Sequence, residues 1–192
     1  MTVLCFAAHP DDELLGPGAT LARHLAEGDL VIVSIRGRCR QPDWSVPKRA
    51  AQMLGYGLAA GDIHSIEDLL DIYRPDIVYT HHAGDLNREH RELHERVLVA
   101  CRPYTAPYVR SIRTFDTASS TEWGLAPFTP NLFVDVTPYI ARKLEAMAEY
   151  ASELRPHPHP RGLNTLSSRA AYWGSVSGYE YAEPFMVVRE RW

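Results

Sequence analysis

Residues 3–13 read Val3-Leu4-Cys5-Phe6-Ala7-Ala8-His9-Pro10-Asp11-Asp12-Glu13, and an apolar run in them stops at a histidine, a proline and three acids. Short runs of small and apolar residues are typical of strands that are buried on both faces of a sheet. Pro10 has no N–H to donate to a neighbouring strand, so the predicted strand ends at or before it. The histidine and the acids therefore follow the carboxyl end of a buried strand, where open α/β sheets bind ligands.

Two interpretations of these polar residues stay open on this stretch alone. In the first, Asp11 or Asp12 caps the next helix and the remaining acids complement its dipole. That interpretation accounts for one or two acids but not for His9. In the second, His9 and Asp12 turn toward one cation, since imidazole plus carboxylate is an ordinary pair of zinc ligands. Asp11 then points elsewhere and remains free as a base.

Length and composition favour one domain of residues 1–192 with a full hydrophobic core. The net charge is −4, and the chain has neither a basic stripe for nucleic acid nor an apolar run near the ~20 residues of a membrane span. Cys5, Cys39 and Cys101 lack C-x-x-C spacing, which argues against a disulfide framework and a thiolate zinc site. Without a signal-peptide pattern at the N-terminus, a cytoplasmic location is expected.

Hydrophobic periodicity predicts alternating strands and helices in the first half of the chain, which indicates a parallel sheet with right-handed crossovers. The predicted strands there are the first one, which ends at or before Pro10, 30–35 and 76–80, and the predicted helices are 15–27, 46–54, 65–73 and one that ends near 101. The second half predicts strands at 109–115, 131–136 and 183–188, helices at 137–154 and 166–174, and an extended, proline-rich segment at 155–161.

A second polar cluster, residues 80–90, follows another predicted strand. It contains His82, Asp85, Asn87 and His90. The carboxyl ends of parallel strands open onto one edge of a sheet, so this cluster and the first are expected to meet. Their convergence favours the metal interpretation over the helix-cap interpretation.

The pair His90 and His94 is four residues apart on a predicted helix and could clasp a metal by itself. In the helix of a zincin-type protease, however, the glutamate directly follows the first histidine, whereas here it is Glu92, two places on. That site is discounted, and His94 is expected on the surface. A dinucleotide site is also disfavoured, since the first turn between strand and helix lacks G-x-G-x-x-G.

Two other polar groups have alternative interpretations. Arg36 and Arg38, after the second predicted strand, either meet an anionic or polyhydroxyl substrate or lie at a solvated strand end. The proline-rich segment 155–161 is either a connector or a rigid loop that presents His159 and Arg161 to the site.

Two motifs resemble those of a known family. Residues 8–13, Ala8-His9-Pro10-Asp11-Asp12-Glu13, and residues 85–90, Asp85-Leu86-Asn87-Arg88-Glu89-His90, resemble the LmbE-like or PIG-L family of metal-dependent N-deacetylases. Segments 119–121, 130–131, 158–161 and 181–185 are similar to a bacterial branch of it, so the resemblance covers nearly the whole chain. It implies an α/β, Rossmann-like three-layer fold with a mostly parallel central sheet.

The resemblance also implies an activity and a site. The family pattern assigns zinc ligation to His9, Asp12 and His90, and the role of general base to Asp11. The implied activity is removal of an N-acetyl group from an amino-sugar-containing small molecule or glycoconjugate precursor, by water that the metal activates. In the mechanism that this suggests, His159 or Arg161 would donate a hydrogen bond to the oxyanion of the intermediate, and His159 is the candidate catalytic residue.

Residue 87 departs from the family pattern. Many members have a histidine three places before the last ligand, where this chain has Asn87, and an amide cannot donate a proton in acid catalysis. That role would then fall to His82, Asp85 or His159. Glu89 stands where aspartate is common, and Gly162 replaces a serine of the bacterial branch. Substrate contacts are expected from Arg161, Asn87, His82, Asp85 and Arg36.

Other functions remain compatible with the same residues. An amidase or deacylase for a non-sugar or thiol-conjugate substrate would use the same chemistry, whereas a catalytically silent metal- or sugar-binding module would have no use for Asp11. A nucleotide-binding Rossmann domain is a third alternative. The ligand set accepts other divalent transition metals besides zinc. The chain is compact for the family, which predicts an open pocket shared with a second copy in a homo-oligomer.

Overall fold

The structure, a computed structural model, describes residues 1–36, 44–60 and 64–192, and the expectations for Arg38 and Cys39 lie outside these residues. The strands of the described chain are β1 (Thr2–Ala7), β2 (Leu30–Ile35), β3 (Gly57–Ala60), β4 (Ile77–His81), β5 (Ser111–Phe115), β6 (Leu132–Asp135) and β7 (Ala182–Glu190). The helices are α1 (Asp12–Leu15), α2 (Gly18–Ala26), α3 (Ser45–Leu54), α4 (Ile66–Tyr73), α5 (Arg88–Ala100), α6 (Ile140–Ala148) and α7 (Leu163–Ser177). None of these helices combines the length and the apolar character that crossing a membrane requires.

The strands form a seven-stranded sheet in the order β3-β2-β1-β4-β5-β7-β6. The pairs from β3 to β5 are parallel, and β7 runs antiparallel to its neighbours β5 and β6. Two hydrophobic clusters cover the two faces of β1, one containing Val3 and Cys5 and the other containing Leu4 and Phe6. The predicted α/β three-layer fold with a mostly parallel sheet is confirmed, and so is the burial of β1 on both faces.

The crevice of the fold lies where β1 and β4 run side by side, with Val3 opposite Ile77 and Cys5 opposite Tyr79. From β1 the sheet continues through β2 to β3 on one side, and from β4 it continues to β5 on the other. Ligands bind outside the carboxyl ends of two such strands, because the connections there turn to opposite sides. Both polar clusters follow these carboxyl ends, so the sheet brings them to one crevice.

The predicted helix 15–27 corresponds to α2, and the structure adds a separate short helix before it, α1, from which Gly16 and Pro17 separate it. Pro17 disfavours helical geometry in the residue before it, and Gly16 has φ −96° and ψ −105°. A side chain at Gly16 would also collide with the ring of Phe115. The break leaves α1 as a single turn that carries Asp12 at the crevice.

The predicted helix 137–154 is shorter in the structure, where α6 begins at Ile140 and ends at Ala148. Thr137 donates its N–H and its hydroxyl to Asp135 Oδ1 at 3.0 and 2.7 Å, which makes the chain turn before the helix begins. Strand β3 was missed because its four residues, Gly57–Ala60, show no apolar alternation and lie at the edge of the sheet.

The segment 155–161 turns in the structure, so the predicted extended conformation is wrong. The His159 N–H donates to the Pro156 carbonyl at 3.1 Å, and the Gly162 N–H donates to the His159 carbonyl at 3.0 Å. Proline fixes its own φ at a value that suits turns as well as extended chain, so the sequence pattern did not distinguish the two.

A buried ion pair fastens the last strand to the helices next to the crevice. Lys143 Nζ lies 2.6 Å from Glu183 Oε1 and donates to the Gly16 carbonyl at 2.7 Å, and both charged side chains are buried. The Glu183 carboxylate also accepts the N–H groups of Ala19 and Thr20, at the start of α2, at 3.1 and 2.6 Å. The pair therefore holds α2, α6 and β7 together.

Glu183→Gln is expected to destabilise the protein by about 3–5 kcal/mol, because it leaves a buried lysine without its counter-charge. The matched control is Glu149→Gln, which removes the partner of the half-exposed Arg49 and should cost about 0–1 kcal/mol. Urea unfolding of the two variants measures both values. Equal midpoints would show that the buried pair contributes no more than a surface pair.

Candidate metal centre

Three candidate ligand atoms from the two polar clusters form a triangle at the carboxyl ends of β1 and β4. His9 Nδ1, Asp12 Oδ2 and His90 Nε2 are each 3.2 Å from the other two. In a tetrahedral zinc site with bonds of about 2.0 Å, two ligand atoms are about 3.3 Å apart. The triangle therefore fits zinc, and three protein ligands are the number found in catalytic rather than structural zinc sites.

Local structure explains why these side chains converge. His9 follows β1 closely, Asp12 is the first residue of α1, and His90 lies in the first turn of α5. The buried Asp12 Oδ2 atom also accepts the His9 N–H at 2.8 Å, which closes the turn after β1. Asn87 caps α5 by accepting the Glu89 N–H at 2.9 Å, so the helix begins where His90 can face the crevice.

Each histidine of the triangle has a carboxylate near its other ring nitrogen. Glu89 Oε2 lies 2.5 Å from His9 Nε2, and Asp85 Oδ1 lies 3.2 Å from His90 Nδ1. Such carboxylates fix the tautomer and the ring orientation of metal-ligating histidines. The arrangement favours ligation through Nδ1 of His9 and through Nε2 of His90.

The carboxylates of Asp12, Asp85 and Glu89 surround the triangle with negative charge. Burial works against charge on His90, but Asp12 and Asp85 outweigh it and raise the pKa of His90 to about 10. Burial also works against charge on His9, whose pKa is nevertheless raised by Asp12 and Glu89. The site thus attracts positive charge, which a bound cation would supply.

Asp85 is buried and held by hydroxyl and backbone donors. Thr121 Oγ1 donates to Oδ2 at 2.6 Å, the Asn87 N–H donates to Oδ1 at 2.8 Å, and the Ser120 hydroxyl also donates to Oδ1. Burial opposes ionisation, but the contacts with His90, Ser120 and Thr121 prevail and lower the pKa of Asp85 to about 2. Asp85 was predicted to contact the substrate. In the structure it lies at Nδ1 of His90, where its ionised carboxylate would support this candidate ligand.

Asp85→Asn is expected to weaken zinc binding about 10- to 100-fold, because the neutral amide no longer complements the ring of His90. Glu89→Gln is the matched control, since the Glu89 side chain is 42% exposed and its loss should have a smaller effect. Competition with a chromogenic chelator measures both affinities. An unchanged affinity in Asp85→Asn would remove Asp85 from this supporting role.

Asp11 lies beside the triangle, in the N-cap position of α1, but makes no side-chain cap hydrogen bond. Its Oδ2 atom instead accepts from Arg161 Nη1 at 3.1 Å. Burial, with the charge of Asp12, raises the pKa of Asp11 well above its usual value, while Arg161 opposes the rise. Its φ of 102° is a strained backbone conformation of the kind that clusters at functional sites. A carboxylate that caps no helix therefore remains next to the candidate metal position.

The proline-rich segment brings Arg161 to the site. Arg161 Nη1 lies 3.0 Å from Glu153 as well as 3.1 Å from Asp11, and its Nε donates to Ser119 Oγ at 2.7 Å. His159 Nδ1 accepts the Arg161 N–H at 3.1 Å. The segment therefore presents Arg161 to the site and is not a mere connector. The catalytic role of His159 stays a prediction.

The remaining predicted substrate contacts have different surroundings. Asn87 lines the cavity beside the triangle. His82 Nε2 lies 3.3 Å from the Ala126 carbonyl, and its ring packs edge-on against Phe128. Arg36 is buried, and its Nη1 donates to the His64 carbonyl at 2.5 Å. Of these three, the structure brings Asn87 to the cavity, and the substrate roles of all three stay predictions.

His81, the last residue of β4, belongs to the site although the sequence analysis did not single it out. Its ring stacks on that of His90 with centroids 3.9 Å apart, and its Nε2 accepts the Ala8 N–H at 3.0 Å. Burial, with the charge of His90, lowers the pKa of His81 to about 4. Its position at the carboxyl end of a central strand was the signal that could have identified it.

His94 is buried, so its predicted surface position is wrong. Its Nδ1 lies 2.8 Å from the carbonyl oxygen of His81, at the end of β4. His94 is one helical turn after His90, and Leu93 and Val97 on the same helix are also buried. This face of α5 packs on the sheet, and the spacing from His90 was the signal for it.

A cavity of about 430 Å³ opens beside the triangle, and its wall includes His9, Asp11, Asn87, Tyr150 and Arg161. This volume lies in the range of small-molecule sites, about 300–1,000 Å³. A larger cavity of about 690 Å³ lies between residues 116–128 and α7, and no residue of the triangle lines it. The smaller cavity is the candidate active site, because one candidate ligand, His9, and the candidate base, Asp11, line it.

A second group of candidate ligands, His24, Glu27 and Asp29, lies near the amino ends of β1 and β2. Asp29 there pairs with the N-terminal ammonium group at 2.5 Å and with His24 Nδ1 at 2.7 Å. Asp29 and His24 thus have partners within the protein, Glu27 pairs with Arg23 at 2.8 Å, and His24 is buried in the packing of α2.

Comparison with solved structures finds proteins that share this fold. No protein-family model matches this chain. N,N′-diacetylchitobiose deacetylase from Pyrococcus horikoshii is 20% identical, with a TM-score of 0.73 over 98% of this chain and 84% of that chain. The zinc-inhibited form of teicoplanin deacetylase Orf2 is 15% identical, with a TM-score of 0.75 over 99% of each chain. GalB, the 4-carboxy-2-hydroxymuconate hydratase from Pseudomonas putida KT2440, is 17% identical, with a TM-score of 0.78 over 100% of this chain and 97% of that chain.

At these identities the likeness shows the fold. The resemblance to the LmbE-like or PIG-L deacetylases is confirmed at that level, since deacetylases are among the structural neighbours. The hydratase shows that the same fold also carries another reaction. The choice between reactions therefore depends on the residues of the site.

Proposed function

We propose that this protein is a zinc-dependent hydrolase that removes an N-acetyl group from an amino-sugar-containing small molecule or glycoconjugate precursor. The observation that carries the proposal is the 3.2 Å triangle of His9, Asp12 and His90 beside Asp11, a buried acid that caps no helix. Deacetylases with the same fold support amide hydrolysis, and one of them is named for a sugar substrate.

The roles of the residues follow from their positions. His9, Asp12 and His90 would hold zinc, which supplies Lewis-acid chemistry by acidifying water and stabilising negative charge on a carbonyl oxygen. Asp11 would accept the proton of the water that attacks the amide carbon. Arg161 would hold the Asp11 carboxylate, which it contacts at 3.1 Å. The carbon–nitrogen bond then breaks, and the products are acetate and a free amine.

The departing amine needs a proton, and Asp11 would return the one that it took from water. Asn87 lines the same cavity, but its amide can donate a hydrogen bond and not a proton. Asp85 is committed to Ser120 and Thr121 and is held ionised. In this proposal the carboxyl group of Asp11 would serve as base and then as acid, in place of the acid role that the sequence left open to His82, Asp85 or His159.

The cavity wall supports a sugar as substrate. Val46 and Pro47 form an apolar part of the wall, whereas Asn87, Ser152 and Glu153 add polar groups. A sugar ring presents C–H groups on its faces and hydroxyl groups at its edge, so it suits a wall of this mixed kind. These side chains would determine which sugar, and which group attached to it, the cavity accepts.

The test combines elemental analysis of the purified protein with acetate release from a panel of N-acetylhexosamine conjugates. The proposal expects one zinc ion per chain and hydrolysis of at least one conjugate. Release of acetate only from non-sugar or thiol-conjugate amides would favour the amidase alternative. Bound zinc with no hydrolysis would favour a silent binding module, and water addition to an unsaturated acid would favour a hydratase.

His159→Ala is expected to lower the rate of hydrolysis about 10-fold or more without loss of zinc, if His159 donates to the oxyanion. His159→Gln is the control. Its amide can still donate a hydrogen bond, so this variant should retain more activity. Steady-state kinetics and elemental analysis measure the two effects. An unchanged rate in His159→Ala would leave His159 as a support for the backbone of Arg161.

A further inference from the structure

Glu13 is a buried acid next to the candidate base, and the proposed mechanism does not use it. Its Oε1 atom accepts the hydroxyl groups of Tyr56 at 3.0 Å and Tyr150 at 2.7 Å, and its Oε2 atom accepts the Asp11 N–H at 3.1 Å. Burial raises the pKa of Glu13 to about 7, and the hydrogen bond from Tyr150 opposes the rise. Three donors thus converge on one carboxyl group, and one of them is the backbone of the candidate base.

The backbone of Asp11 needs a support of this kind. Its φ of 102° lies in the left-handed region, and a residue with a side chain stays there only where its surroundings hold it. Arg161 holds Asp11 through the carboxylate, at 3.1 Å. Glu13 holds it through the N–H group, at 3.1 Å. Asp11 is thus held at its side chain by Arg161 and at its backbone N–H by Glu13.

The two tyrosines donate to the same oxygen of Glu13 but differ in their other surroundings. Tyr150, which follows α6, lines the cavity beside the triangle. Tyr56, between α3 and β3, belongs to the same hydrophobic cluster as Tyr150 but is not part of that cavity wall. Replacing each by phenylalanine therefore separates an effect on Glu13 from an effect on the substrate.

We propose that Glu13, held by Tyr56 and Tyr150, is the positioning residue of Asp11. The inference rests on the proposed function, in which Asp11 exchanges a proton with the attacking water. Glu13 does not touch the substrate. It fixes the backbone of Asp11 so that the carboxylate stays beside the candidate metal position, and without an acceptor at Glu13 the strained backbone relaxes and the carboxylate moves.

The first test compares two replacements of Glu13 with similar length. Glu13→Met removes both acceptor oxygens and is expected to lower kcat about 10- to 100-fold, the effect of a misplaced catalytic group. Glu13→Gln keeps one amide oxygen for the Asp11 N–H and is expected to retain most of kcat. Zinc content and KM should stay close to those of the unmodified protein in both. Equal losses in the two variants would overturn the proposal.

The second test asks whether the effect passes through Asp11. In an Asp11→Asn background, Glu13→Met is expected to cause less than about a twofold further loss, because residues that act as a unit are not additive. Tyr56→Phe and Tyr150→Phe are each expected to lower kcat about two- to tenfold with KM unchanged. A full further loss in the Asp11→Asn background, or a change confined to KM of Tyr150→Phe, would overturn the proposal.

A readout independent of activity separates this inference from the proposed function. A crystal structure of Tyr150→Phe or Glu13→Met is expected to show the Asp11 carboxylate displaced from Arg161 relative to the unmodified protein. An unmoved carboxylate overturns the inference even where the protein is a deacetylase. A displaced carboxylate in a protein that hydrolyses no amide supports the positioning contact and refutes the proposed function.

Discussion

Asp11→Asn is expected to retain one zinc ion per chain and to lose about 10²- to 10⁴-fold in kcat. Asp11 lies beside the triangle of His9, Asp12 and His90, so removing its charge leaves the three candidate ligands in place. Asparagine has the shape of aspartate and tolerates a positive φ, which residue 11 requires. Elemental analysis and acetate release from the best substrate measure the two quantities.

Asp11→Ala serves as the control for backbone effects. It should lose a similar amount of activity and should also unfold at a lower temperature, since alanine is strained at a φ of 102°. Activity equal to that of the unmodified protein would remove Asp11 from the role of base. Loss of zinc from Asp11→Asn would instead indicate that Asp11 is a zinc ligand in addition to His9, Asp12 and His90.

His90→Ala is expected to weaken zinc binding by more than about 100-fold, which exceeds the 10- to 100-fold effect of residues that only support a ligand. His90 Nε2 is one of the three atoms of the triangle, and two ligands hold zinc poorly without the third. Competition with a chelator measures the affinity. Because ligand binding stabilises the folded state, zinc should also raise the unfolding temperature of the unmodified protein but not of this variant.

His94→Ala is the matched control, because His94 is one turn further along the same helix and is also buried. It contacts the His81 carbonyl rather than the triangle, so the variant should lose stability and keep its zinc affinity. Full zinc occupancy with unchanged affinity in His90→Ala would contradict ligation there. Equal zinc loss in both variants would point to a general disturbance of α5.

Local patterns predicted several strands and helices of the fold. Strand β2 has the predicted bounds, 30–35, and the helix predicted at 65–73 is α4, whose N-cap Ser65 accepts the Asp68 N–H with its hydroxyl at 3.0 Å. Two of the predictions that failed, the unbroken helix 15–27 and the exposed His94, were decided by contacts with distant parts of the chain, whereas the start of α6 and the turn at 155–161 depend on hydrogen bonds between near neighbours. Phe115 packs where a side chain on Gly16 would lie, and His94 is covered because α5 packs on the sheet. Neither contact lies within the short stretch of sequence over which hydrophobic periodicity is assessed.

The sequence alone determined that two polar clusters follow buried parallel strands, because the apolar runs and the position of Pro10 are properties of neighbouring residues. Only the tertiary structure decided which atoms meet. His9 Nδ1 and His90 Nε2, 81 residues apart in the chain, are brought to 3.2 Å by the pairing of β1 with β4. The support of Asp11 by Glu13 likewise depends on Tyr150, which approaches from the other half of the chain. Strand pairing and helix packing are long-range contacts, and no local pattern specifies them.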